Sequence, residues 1–194
     1  MGEAVATIHE VTNNFKSSFS RPELDSEYLL DASVNAFAPL YKHRKNDIDY
    51  LYKQAEKLKS NLITLNLPKV PPFYGVCIGD IHVGNTHFTQ LNQPTLFDFD
   101  QCGYGWRAFD LGKFINTVFA WKLGSEIIRS FLEGYQTIRQ LNKIELTAIT
   151  LFTKIAHIWV MGISASVVRD VLGYGWFTDD WLDSKLEVFK QLGD

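Results

Sequence analysis

The chain has 194 residues, enough for one compact domain with a sizeable core or one lobe of a larger enzyme. A net charge of −3 and a pI near 5.9 leave no large basic field, which argues against nucleic acid as the main partner. The apolar runs are short and broken by charge, so no signal peptide, membrane span or membrane partner is expected. Cys77 and Cys102 read as two lone thiols of a cytoplasmic protein.

Gly2 to Phe15 sets Ala4, Ile8, Val11 and Phe15 at helical spacing, predicting an amphipathic helix that buries that face, with His9 as a packing residue. Residues 16–27 have turn composition and read as a surface loop. Tyr28 to Phe37 follows as a helix that ends near Pro39, whose ring and missing N–H cannot continue it. The basic run Lys42 to Lys45 reads as a solvated face, with contact to a phosphate as the other possibility. From Asp47 to Leu62, Ile48, Leu51, Tyr52, Ala55, Leu58 and Leu62 mark a longer amphipathic helix. Leu67 to Pro72 then predicts a stiff, extended connector, which delivers the short apolar run Phe73 to Ile78.

The stretch from Ile78 to Asp110 carries the chemistry. Asp80 and Asn85 have the D-x-x-x-x-N spacing that kinase catalytic loops use for a catalytic Asp and a Mg-binding Asn. Two β-prone runs follow, THFTQ and TLFDF, around the turn-like LNQP. An antiparallel hairpin would bring Asn85 at its entry beside Asp98 at its exit, two oxygen ligands suited to Mg²⁺. Asp98-Phe99 also reads as the start of a D-F-G metal motif, with Asp100 where the Gly would be. Asp80 and His82 also fit the D-x-H pair of calcineurin-like metallophosphatases, but the further Asp and His boxes that a two-metal site needs do not follow. Beyond Asp110 come helices over 111–121, 125–141, 144–171 and 178–192, the third broken at Gly173 to Gly175. Ile127, Ile128, Phe131, Leu132 and Tyr135 form the inner face of the second. The charged Lys154, His157 and Arg169 mark the third as a core helix. Asp179, Asp180 and Asp183 lie near the N-terminus of the last, where carboxylates are stabilised.

Gly79 to Asn85, Phe97 to Asp100 and Arg107 to Gly112, in this order and spacing, resemble the superfamily of aminoglycoside phosphotransferases, choline kinases and type II homoserine kinases. The resemblance implies a mostly helical α+β fold, the C-terminal lobe of a protein-kinase-like phosphotransferase, with a small β-hairpin at the active site. It implies transfer of the ATP γ-phosphoryl group to a hydroxyl of a small molecule. Asp80 would be catalytic, Asn85 and Asp98 would hold Mg²⁺, and His82, Asp100 and Asp110 would support them. Gly103 to Trp106 would stand where kinases carry an activation segment, and is too short for control by phosphorylation. Ile78 replaces the His of the family's H-G-D and cannot make an imidazole's hydrogen bonds, which leaves the loop short of one support. The words G-E-x-x-A-x-x-H match the helix after the hinge between lobes, so residues 1–194 are expected to form a single domain, without the N-terminal nucleotide-binding lobe. The acidic residues of the last helix would then suit an amine-bearing acceptor. The alternative is a catalytically silent module that binds the missing lobe, or a second copy of itself, through the uncovered face.

Overall fold

The computed structural model describes residues 1–192. The expected long apolar helix runs over Lys143–Leu172 (α6) and packs most extensively against Ala108–Ala120 (α4), with Ser33–Phe37 (α2) and Lys45–Leu65 (α3) also against it. Phe152, Ile155, Ala156, Ile158, Trp159 and Met161 of α6 are buried, consistent with its reading as a core helix. Among the described residues, Lys143–Val167 is the one stretch long and apolar enough to cross a membrane, and 61% of its apolar window is buried within the fold. Glycine sets how near α4 comes. A Cβ on Gly112 would lie 2.6 Å from the Phe152 backbone carbon, so the axes can approach only because that atom is missing.

Gly2–Val11 (α1) packs on Ser125–Gln136 (α5), but not with the expected face. Gly2, Val5, Ala6 and His9 are buried, whereas Val11 and Phe15 are 75% and 54% exposed. The helix ends at Val11, and the close seat of Gly2 on the Phe131 carbonyl turns the buried stripe by one residue. The 16–27 loop is largely exposed, yet Glu23–Leu24 (β1) is a short strand with Leu24 buried. Beyond it, a π-type turn over Glu27–Ala32 leads into α2, and a 3₁₀ turn over Ala38–Tyr41 carries Pro39 in its first positions. Pro39 therefore opens a new turn just past the helix end predicted there.

α3 buries Ile48, Leu51, Ala55, Leu58 and Leu62, the stripe read from its spacing apart from Tyr52, which is 39% exposed. The 67–72 connector is not extended. The Val70 carbonyl accepts from the N–H groups of Phe73 and Tyr74 and folds it into a turn. The basic run is largely solvated, as expected, with Lys42, His43 and Lys45 exposed, and it also makes ion pairs: His43 bonds Asp179, while Arg44 bonds Asp47 and Asp183. It clamps Asp179–Gln191 (α7), whose N-terminal cap is Thr178, accepting from the Trp181 N–H.

Tyr74–Cys77 (β2) and Gly103–Trp106 (β5) pair antiparallel, and β1 joins β5 in parallel on its other edge. Thr86–Phe88 (β3) and Pro94–Leu96 (β4) form the expected hairpin, apart from that sheet.

Candidate active site

β2 delivers the chain to the loop at residues 78–85, and the first turn of α4 holds it there. The N–H groups of Ile78 and Gly79 donate to Oδ2 and Oδ1 of Asp110 at 2.7 and 2.8 Å. Asp110 is fully buried and does not cap α4 with its side chain. Its third donor is His9 Nε2, at 2.9 Å. The network sets the tautomer: Nε2 carries the proton, and Nδ1 accepts from the Tyr135 hydroxyl at 2.8 Å. Burial lowers the His9 pKa, opposed by Asp110, so the ring stays neutral. Tyr135 in turn accepts from Arg139, which is ion-paired with Glu145. An unbroken file of hydrogen bonds thus runs from Arg139 to the loop backbone, with the Asp110 carboxylate accepting from both sides. Ile78 contributes only its N–H and a buried side chain, and the imidazole that braces Asp110 is His9, from another helix.

Asp80 stands beyond this anchor, half-buried. Its Oδ1 meets Lys113 Nζ at 2.8 Å and its Oδ2 lies 3.5 Å from His82 Nε2. Burial alone would raise the Asp80 pKa, but His82 and Lys113 outweigh it and hold the carboxyl well below the usual range. Lys113 is 3% exposed, one helical turn after Asp110, and also donates to Thr117 at 3.1 Å. His82 accepts from the Gly84 N–H through Nδ1 and lies tilted against Trp121, 5.4 Å between ring centres.

The hairpin foot is built as its sequence predicts. Asn85 donates through Nδ2 to the Asp80 carbonyl at 3.0 Å, and its own carbonyl accepts from the Phe97 N–H at 3.1 Å. Asn85 is therefore bonded to the residue before Asp98. Asp98 has φ +61, a left-handed backbone that a non-glycine residue holds at a cost of about 1 kcal/mol. Asp80, His82, Asp98, Asp100 and Lys113 all line one cavity of about 510 Å³, whose far wall comes from α6 and α7. Asn85 is not among the lining residues. The Asp100 carbonyl accepts from Arg21, which ties the loop before β1 to the site.

Residues 1–144 match the model of the phosphotransferase enzyme family. The chain belongs to this family. A relative from Synechocystis sp. is 37% identical over 193 residues, covering 100% of this chain and 53% of the relative. Amicoumacin kinase of Bacillus subtilis is 27% identical over 175 residues, covering 84% and 49%. The chain thus spans about half the length of the curated relatives it matches. Among solved structures, an amicoumacin kinase in complex with AMP-PNP, Ca²⁺ and Ami superimposes with a TM-score of 0.68 at 21% identity, over 98% of this chain and 56% of that one. A microcompartment-associated aminopropanol kinase gives 0.63 at 19% identity, over 98% and 57%. The fold is that of the C-terminal lobe of kinase-like phosphotransferases, as the motifs imply.

Three residues of the site escaped the sequence reading. Lys113 lay inside an apolar helix pattern, where a lone Lys carries no motif, although its place one turn after Asp110 puts both on one face. His9 read as packing because Asp110, its partner, is 101 positions away. His157, read only as a charge in a core helix, accepts from Asn116 at 2.9 Å and donates to the Lys185 carbonyl at 2.9 Å behind the cavity wall.

Proposed function

We propose that this chain is the catalytic and acceptor-binding lobe of a small-molecule kinase. The γ-phosphoryl group of ATP passes to an alcohol oxygen, ADP leaves, and the hydroxyl proton goes to Asp80. The observation that carries this reading is the meeting of Asp80, anchored through its loop by Asp110, with Asp98 on one cavity at the foot of a hairpin that begins at Asn85. The low proton affinity of Asp80 suits a loose transition state, in which the hydroxyl proton leaves late and the base chiefly orients it.

Asn85 and Asp98 offer the hard oxygen donors a divalent cation takes, and the exposure of Asp98 leaves room for phosphates and water. We assign them to Mg²⁺, with Asp100 assisting; when bound, the ion would neutralise charge on the transferring phosphates. His82 restrains Asp80, and Asp110 holds the loop. The hairpin leaves Phe88, Leu91 and Phe97 48%, 80% and 46% exposed, an apolar surface that we propose a nucleotide-covering lobe would shield. The same surface is what favours the second reading, a silent binding or dimerisation module. The free thiols of Cys77 and Cys102 fit a reducing cytoplasm, where ATP is also at hand.

Calorimetric titration with ATP, with and without Mg²⁺, tests the kinase reading. Heat that requires Mg²⁺ and is lost in Asp98→Asn is the expected result. Asn tolerates the left-handed backbone, so the variant should melt within about 0.5 kcal/mol of the parent. No heat at millimolar ATP would leave the binding module as the better account.

A further inference from the structure

The charges that line the 510 Å³ cavity do not cancel. Asp80 is neutralised by Lys113 at 2.8 Å. Asp98 and Asp100, both exposed at the hairpin foot, are the carboxylates that the kinase reading gives to the divalent cation. Lys185 is left over. It comes from α7, lies half-buried in the cavity wall, and among the described residues no carboxylate is within ion-pair distance of its ammonium group. Two acids of its own helix are engaged elsewhere, Asp179 with His43 and Asp183 with Arg44. Its ammonium instead sits 5.5 Å from the centre of the Trp181 ring, and burial lowers its pKa with nothing opposing. The indole N–H of Trp159, a residue of the same wall, is buried without a hydrogen-bond partner. Both groups are donors in want of an acceptor, and a charge or donor withdrawn from water without a partner is costly. A cationic acceptor would meet Lys185 as a like charge, and a neutral polyol would leave Lys185 uncompensated.

We propose that the phosphoryl acceptor is an alcohol that also carries an anionic oxygen group, held with its hydroxyl at Asp80 and its carboxylate or phosphate at Lys185. This rests on the kinase reading for the position of the hydroxyl. It also sets the chain apart from an enzyme for amino alcohols, because the charge selected at the far wall is of opposite sign.

Ligand-observed NMR on the whole chain with Mg-ATP tests it, with glycerate, glycerol 3-phosphate, glycerol and ethanolamine as probes. At least one of the two anionic probes should bind about tenfold or more tightly than glycerol and ethanolamine, and which one does so separates carboxylate from phosphate recognition. Lys185→Gln should abolish that preference and Lys185→Arg should restore it, while Mg-dependent ATP binding stays at the parent level in both. Unchanged ATP binding in Lys185→Gln also certifies that the variant is folded. Equal binding of all four probes, a preference for ethanolamine, no anion binding at millimolar concentration, or an unaltered preference in Lys185→Gln would overturn the proposal. Absence of Mg-dependent ATP binding in the parent would instead remove the kinase reading on which it stands.

Discussion

Asp110 accepts hydrogen bonds from Ile78, Gly79 and His9 in a place closed to water, so its removal strands donors that have no other partner. Each stranded buried donor costs about 1–3 kcal/mol, and Asp110→Ala should therefore destabilise the chain by about 3 kcal/mol or more, read by urea denaturation. A cost under about 1 kcal/mol would mean that solvent reaches the anchor. Asp80, Asn85 and Asp98 stood out in the sequence because their spacing is itself a motif. Lys113 bonds the same loop yet belongs to no motif, and His9, though it lies within the G-E-x-x-A-x-x-H words, gives no sign there of its partner, since both roles depend on helix packing that brings distant segments together.

At the scale of helices, the periodic apolar stripes of α3 and α6 were legible because burial on one face is what writes them. β1 was not, because two residues in a polar segment cannot show alternation, and only Leu24 is buried. The face of α1 was misread because its stripe includes Gly2 and His9, which do not look apolar. Glycine also carries the α4 and α6 contact. Gly112→Ala would drive a methyl group to 2.6 Å from the Phe152 backbone, and helices cannot yield as a flexible side chain can. The expected loss is about 2 kcal/mol, despite the helix propensity gained. Because Asp110 and Lys113 flank that contact, Mg-dependent ATP binding should weaken as well; a variant as stable as the parent would refute the close packing.

Across the whole molecule, neutral imidazoles are built into the interior. Burial chiefly pushes His157 down to about 4, so at pH between that value and its unfolded value near 6.5 only the unfolded chain takes up the proton. Its contribution is therefore fully present above about pH 6.5 and lost as the pH falls towards 4, a decline on the order of 3 kcal/mol. His9 shifts in the same direction, which steepens it. Denaturation midpoints at pH 7.5, 6 and 5 should fall in that order, and His157→Gln should flatten the fall; parallel curves would exclude His157 as the cause. The file of donors from Arg139 through Tyr135 and His9 to Asp110 also has a consequence for how the chain is made. His9 precedes Tyr135, Arg139 and Glu145 by more than 120 positions, so the fastening behind the 78–85 loop closes only once that later segment has been made. Until then the loop at residues 78–85 has its sequence without the full brace behind Asp110.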